Sequence, residues 1–327
     1  MSIRVAILGA TGVVGIKAIA LLLNNPRFKI IELVASDQRM GQPFGKIYYS
    51  KESLVNLPEE IANIKLSNAK DLKAEFVISC LPADVAKQIE PKLASEGKIV
   101  FSNASSFRMN KDVPLLVPEI NEAHLTLLRN QKTKGKIITN PNCSAVGITL
   151  ALAPLIDLGE ITHVSVVTLQ AISGAGYPGI SSLDILGNTI PHIEEEAEKI
   201  TEETKRILGS TEKPASFSVT TNVHRVPVIN GHTATLHITF KENVIPDQAF
   251  KAYQNWNQKY PRLFVLHKQK NRPQSLKDLT NDDMRVHIGG LRQGDDPNIL
   301  TVVALTHNLV RGAAGAVIAN MEKYLSL

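Results

Sequence analysis

The chain has 327 residues, 43% of them hydrophobic and 20% charged, with a formal net charge of +5. Such a length calls for two domains and such a balance for an ordinary buried core. The mild basic excess lacks any basic block, so it argues weakly for anionic small molecules and hardly at all for nucleic acid; no apolar run reaches membrane-spanning length, and two cysteines make no disulfide framework.

Arg4 to Leu8 reads as a short apolar strand, followed by Gly9-Ala10-Thr11-Gly12-Val13-Val14-Gly15 and a helix to about Leu23. Strand, glycine-rich turn and helix make a nucleotide-binding unit, because glycines let the main chain approach a pyrophosphate and the helix end offers N–H donors. Ile30 to Ser36 is the second strand. Its end faces an adenosine ribose, where Asp37 would suit a 2′-hydroxyl but Ser36 and Arg39 favour a 2′-phosphate, hence NADP. Glu75 to Cys80 is a strand, Leu81-Pro82-Ala83-Asp84 opens a helix to about Glu90, and Ile99 to Phe101 is a strand ending in the polar loop Ser102 to Arg108. Alternating strands and helices predict a doubly wound parallel sheet of Rossmann type.

Ile137 and Ile138 lead into Asn140-Pro141-Asn142-Cys143-Ser144. Pro141 places the helix start just after it, running to about Leu155, and Asn142 is the predicted N-cap. Cys143 then sits at the positive end of the helix, a position that favours a nucleophilic thiolate. Past this helix the pattern changes. His163 to Ala171 alternates as a strand, Ser173 to Gly179 is a glycine-rich flexible loop, and Ile190 to Leu208 contains an acidic helix. Ser216 to His224, Thr233 to Lys241, Val286 to Arg292 and Thr301 to Thr306 read as strands, and Pro246 to Tyr260 as helix. This half is predicted to be an α+β domain with a mostly antiparallel sheet. Asn308 to Tyr324 is a small-residue-rich helix that packs back on the first domain. The predicted division is 1–143 with 307–327 for NADP binding and 144–306 for catalysis and dimerisation.

A thiolate, a nicotinamide and a base suggest hydride transfer to or from an acyl group carried on sulfur. Of nine histidines, His232 follows a glycine at a turn and lies seven residues after Arg225. From the residues alone it is equally a turn histidine bonded to the main chain. No metal-ligand cluster is read.

The motifs together resemble the aspartate-semialdehyde dehydrogenases of the archaeal and fungal branch. They are Gly-Ala-Thr-Gly-x-Val-Gly at 9–15, Ser-Asn-Ala-Ser at 102–105 with Arg108, and Asn-Pro-Asn-Cys-Ser at 140–144. Further on come the Gln170 to Gly179 stretch, Arg225-Val226-Pro227-Val228 with Gly231-His232-Thr233, and Arg311 to Gly315. The resemblance implies Cys143 as nucleophile, His232 as general acid/base and Gln170 as the residue orienting the acyl group. It implies Arg225 for the substrate carboxylate, Arg108 and Lys199 for phosphate, Asn103 near phosphate and nicotinamide, and Glu196 or Glu198 for the amino group. The cofactor set is Gly9, Thr11, Gly12, Val13, Val14, Ser36, Arg39, Cys80, Leu81, Pro82, Ser173, Gly174 and Asn308, with Gly174 and Asn308 beside the nicotinamide.

The implied reaction is the NADP-dependent, reversible interconversion of 4-phospho-L-aspartate and L-aspartate 4-semialdehyde, feeding lysine, threonine and methionine synthesis. A cytoplasmic homodimer or homotetramer is expected, with no membrane or nucleic-acid partner. Malonyl-CoA reductase shares the frame and is the main alternative. N-acetyl-γ-glutamyl-phosphate reductase is disfavoured by Asn142 and Ser144, and a non-catalytic NADPH sensor by the complete Cys, Gln, Arg and His set.

Overall fold

A computed structural model describes residues 2–48, 57–70 and 72–327. The chain divides into two compact units: Met1–Pro118 with Ala123–Pro141 and Ala313–Leu327, and Glu119–Glu122 with Asn142–Gly312. No helix among the described residues is long and apolar enough to cross a membrane.

The first unit runs β1 (Ile3–Leu8), α1 (Val13–Leu23), β2 (Phe28–Val34), β3 (Phe76–Ser79), α2 (Ala83–Ser95), β4 (Ile99–Ser102) and β5 (Lys136–Thr139). The five strands are parallel in the order β2-β1-β3-β4-β5. Val5 and Ile7 face one core with Ile16 and Ile19, whereas Ala6 and Leu8 face another with Val77 and Leu93. Both faces are therefore covered, which is why these strands are apolar throughout rather than alternating. The strand order reverses between β1 and β3, and a doubly wound sheet opens its ligand crevice at that point, over the carboxyl ends of the strands.

Two boundaries differ from expectation. β2 begins at Phe28, which is buried and paired with Ile3, and it ends at Val34 rather than Ser36. α2 continues past Pro91 to Ser95, whereas the expected end was about Glu90. Proline removes one helical hydrogen bond, but Leu93 and Ala94 beyond it are buried, and that packing carries the helix on.

The second unit runs α3 (Cys143–Leu152), β6 (Ile161–Gln170), α4 (Glu196–Ile207), β7 (Ser218–Arg225), β8 (His232–Phe240), α5 (Pro246–Lys259), β9 (Phe264–Leu266), β10 (Val286–Gln293) and β11 (Ile299–Thr306). Its six strands follow the order β7-β6-β8-β11-β10-β9. The three inner pairings are antiparallel and the two outer ones, β6 with β7 and β9 with β10, are parallel. Every residue of α3 from Ser144 to Leu152 is buried, which explains its small and aliphatic composition. α3 stops at Leu152 and a tighter turn takes over at Ala153–Leu158, where Pro154 has no N–H to continue the α pattern. α4 is shorter than the acidic stretch suggested: Glu195 adopts a left-handed φ of 55° and the helix starts after it. Its buried face is Ile200, Glu203, Thr204 and Ile207, the spacing of one helical stripe.

The last segment is not one helix. Val310–Ala314 forms a π turn, with Gly312 N–H bonded to the His307 carbonyl at 3.1 Å. Only then does α6 (Gly315–Tyr324) begin, within the first unit. α6 packs on α1 and β4 mainly through Val317, Ile318 and Met321, with the Tyr324 ring edge-on to Phe101. Branched and aromatic side chains, more than the glycines and alanines, make that contact.

Candidate active site

In the first unit a crevice of about 970 Å³ opens beside the glycine-rich turn, lined among others by Gly9, Thr11, Ser36, Asp37, Leu81 and Pro82. Gly9 has φ +71°, and a Cβ there would fall 2.5 Å from the Cys80 carbonyl oxygen, so the close approach of β1 to β3 admits only glycine. Gly12 caps α1 without any side-chain hydrogen bond, which leaves the first-turn amides of an eleven-residue helix available to a pyrophosphate. The donors present thus fit a dinucleotide. Ser36 leads into a single 3₁₀ turn at Asp37–Arg39, so Arg39 lies one turn beyond the two residues that line the crevice. Sequence reasoning missed Asn68, Lys70 and Lys92, which also line it. Asn68 and Lys70 reach it because Ser67 bridges to Val34 of β2, a contact with no local sequence signal.

Burial pushes the Cys80 thiol up to about 12, which keeps it protonated. Its sulfur instead accepts from Asn103 Nδ2, which also bonds the Ser79 carbonyl, while Asn103 Oδ1 accepts from Asn140. Arg108 is buried and its Nη2 donates to the Asn103 carbonyl at 2.6 Å. Asn103 and Arg108 are therefore locked together at the ends of β3 and β4.

The second unit gathers the other residues. Cys143 is the first residue of α3, and Asn142 caps the helix, its side-chain oxygen accepting from Ser144 N at 2.8 Å and Ala145 N at 3.3 Å. Gly312 packs on Cys143, since a Cβ there would lie 2.8 Å from Cys143 Cβ. Gln170 ends β6 and Arg225 ends β7, directly paired in register. Gln170 Nε2 donates to Glu196 Oε1 at 2.9 Å, and Asn142 Nδ2 donates to Glu196 Oε2 at 2.9 Å. Glu196 is thus the acid facing Gln170 and the Cys143 turn. Arg225 is 6% exposed and its Nη1 donates to the Ala171 carbonyl at 2.7 Å. Burial lowers its pKa, opposed by attraction to Cys143 and Glu196.

His232 begins β8 and is 3% exposed. Its pKa is pushed down to about 3 by desolvation first and by the Arg225 charge second, so the ring is neutral at physiological pH. The Ala171 amide donates to Nδ1 at 3.0 Å, whereas Nε2 has no protein partner. Gly174 lies over Arg225 and His232: a Cβ there would meet Arg225 Nη1 at 2.9 Å and His232 Nε2 at 3.2 Å. Asn308 ties the surrounding turns together, accepting from Gly231 N at 2.8 Å and donating to Ser173 Oγ at 2.9 Å. The Ser173 to Gly179 loop is anchored at its start, where Ile172 N and Ser173 N bond the carbonyls of Val228 and Ile229. Lys199 stands apart from this cluster in its contacts, paired with the exposed Glu195 at 2.8 Å.

Another histidine group was not foreseen. His267 Nε2 and His287 Nδ1 are 3.1 Å apart beside Asp278. Both Asp278 oxygens are taken by Arg272, one of them also by Gln274 N, and His287 Nε2 is bonded to Asp283 at 3.0 Å. The group is a completed hydrogen-bond chain that braces β9 and β10.

Two family models match the chain: "Semialdehyde dehydrogenase, NAD binding domain" over residues 4–128 and "Semialdehyde dehydrogenase, dimerisation domain" over 152–311. A dinucleotide-type crevice and a cysteine-bearing mixed-sheet unit thus define an oxidoreductase of the semialdehyde dehydrogenase class. The aspartate-semialdehyde dehydrogenase of Archaeoglobus fulgidus is 38% identical, with 98% of each chain covered. The malonyl CoA reductase (NADP) of Metallosphaera sedula is 33% identical, covering 98% of this chain and 96% of its own. A crystal structure of aspartate semialdehyde dehydrogenase with NADP from Candida albicans superposes with a TM-score of 0.89 at 32% identity, covering 99% of this chain and 98% of that one. The chain belongs to the aspartate-semialdehyde dehydrogenase family.

Proposed function

We propose that the protein is an NADP-dependent aspartate-semialdehyde dehydrogenase, converting 4-phospho-L-aspartate to L-aspartate 4-semialdehyde and phosphate, reversibly, through a thioester on Cys143. The observation that carries this reading is the convergence of a helix-tip cysteine, a buried arginine, a glutamate and a neutral histidine at one rim of the second unit's sheet.

Each residue has a task. Arg225 grips the α-carboxylate with its planar fork. Glu196 takes the α-ammonium, and Arg108 and Lys199 receive the phosphate, with Asn103 holding Arg108 in place. The Cys143 sulfur attacks the acyl carbon, a C–S bond forms, and the C–O bond to phosphate breaks. The positive end of α3 favours the negative charge that this attack places on the carbonyl oxygen. The first-turn amides of α1 would hold the pyrophosphate of NADPH, with Ser36 and Arg39 toward its 2′-phosphate, and the bound cofactor would supply the hydride. His232 Nε2–H donates toward the carbonyl oxygen as it gains charge, and Gln170 holds the acyl group in line. Breaking the C–S bond then releases the aldehyde and returns the thiolate. In the other direction His232 must take up a proton, which requires the Ala171 contact at Nδ1 to yield.

The malonyl-CoA reading is supported by the Metallosphaera relative, but malonyl has no ammonium for Glu196. The product would feed lysine, threonine and methionine synthesis in the cytoplasm. A homodimer or homotetramer formed through the second unit's sheet is consistent with the family model's description as a dimerisation domain. The deciding experiment is NADPH formation from aspartate semialdehyde and NADP⁺. Strict dependence on phosphate is expected; turnover of malonyl-CoA with none of the semialdehyde would overturn the assignment.

A further inference from the structure

α4 carries two carboxylates seven residues apart, Glu196 and Glu203, and both hold Asn142. Glu196 accepts from the Asn142 side-chain amide, and Glu203 accepts from the Asn142 main-chain N–H through a short bond of 2.5 Å. Seven residues are nearly two helical turns, so one face of α4 presents both groups.

The second bond has a specific meaning. In a capping box the residue three places into the helix reaches back with a carboxylate to the main-chain N–H of the cap. Here that place is Ala145, which is fully buried and has no carboxylate to offer. Glu203 supplies the missing acceptor from a different helix. It is 2% exposed, and a buried carboxylate is costly unless its partners compensate. Burial lowers the pKa of Arg206, one turn along α4, opposed by attraction to the Glu203 charge. Both orphan ends of the cap are thereby satisfied: the side-chain oxygen serves Ser144 and Ala145 while the main-chain N–H is fixed from α4.

We propose that Glu203 is a positioning residue for the Cys143 chemistry, completing the α3 cap in trans and so fixing the peptide that aims the sulfur. This rests on Cys143 being the acyl carrier. Glu196 must answer to the substrate ammonium as well as to Asn142 and Gln170. Glu203 holds the cap steady independently of that exchange.

The test compares Glu203→Met, which keeps volume and removes the acceptor, with Glu203→Gln, which keeps an acceptor oxygen. Three quantities are measured in the full chain: kcat and KM with aspartate semialdehyde and NADP⁺, the rate of Cys143 alkylation by iodoacetamide read by peptide mass spectrometry, and melting temperature. Misaiming a reacting group by about an ångström costs roughly 100-fold. E203M is expected to lose about 10- to 100-fold in kcat, with KM for NADP⁺ within about twofold, and to slow Cys143 alkylation by a similar factor. E203Q is expected to stay within about threefold on both. Wild-type kcat and alkylation in folded E203M would overturn the proposal, as would equal losses in both variants. If E203M does not fold, Glu203→Asp replaces it, since it withdraws the acceptor by one methylene at constant charge. Alkylation needs no substrate, so an error in the proposed reaction would silence the kcat readout in the wild type too and leave the alkylation comparison standing.

Discussion

The Ala171 amide donates to His232 Nδ1 at 3.0 Å, and this single bond places the neutral ring's proton on Nε2. The same residue's carbonyl accepts from Arg225 Nη1, so the main chain of one residue holds both the ring and the guanidinium. His232 therefore titrates far below an ordinary histidine, at about 3. The unfolded chain, with a value near 6.5, binds a proton that the folded chain refuses. Stability is then expected to fall as pH drops from about 6.5 toward 3, this residue contributing up to about 1.4 kcal/mol per pH unit. Urea unfolding at pH 5 and pH 7 should show a smaller difference in His232→Gln than in the wild type. Equal differences would show that the ring is not held neutral.

Cys143→Ser should abolish turnover, by about 10³-fold or more, because a serine hydroxyl is far less acidic than a thiol and does not ionise at the helix end. NADPH binding, followed by nicotinamide fluorescence, should be unaffected. Normal turnover would refute the thioester route.

Arg225→Lys should raise KM for the semialdehyde by about 10- to 100-fold, the worth of a charge-assisted fork that a point charge cannot reproduce. A fall in kcat should accompany it, because lysine loses the bond that steadies the Ala171 peptide. KM for NADP⁺ is the internal control and should not move.

Arg39→Ala should narrow the preference for NADP⁺ over NAD⁺ by about tenfold, the value of one charge-assisted contact. The ratio of kcat/KM for the two cofactors measures it directly. An unchanged ratio would shift attention to Lys70 and Lys92, which line the same crevice.

What the sequence disclosed was local. The Gly9 turn and the Asn142 cap are each settled by residues a few places apart, and each was legible; the helix end at Leu152, before Pro154, was instead expected near Leu155. The doubly wound sheet was legible because its strands and helices alternate along the chain. What stayed hidden involves long separations. β9 is three residues long and exists only because β10 accepts it as a parallel neighbour. α2 outlives Pro91 because of what lies under Leu93. Glu203 reads as one more acid on a charged helix until its 61-residue reach to Asn142 is seen. His232 could not be told from a turn histidine by its neighbours, and it is in fact bonded to the main chain as well as poised with a free Nε2.

Gln170 closes β6, Arg225 closes the strand paired beside it, and His232 opens the strand on β6's other side. Side chains alternate along a strand, so inserting or deleting one residue within β6 would turn Gln170 to the opposite surface and carry it off the rim. Strand length at this edge is consequently under as strict a constraint as residue identity. Natural variants should accept length changes in the 208–217 and 241–245 connections while tolerating none between Ile161 and Gln170.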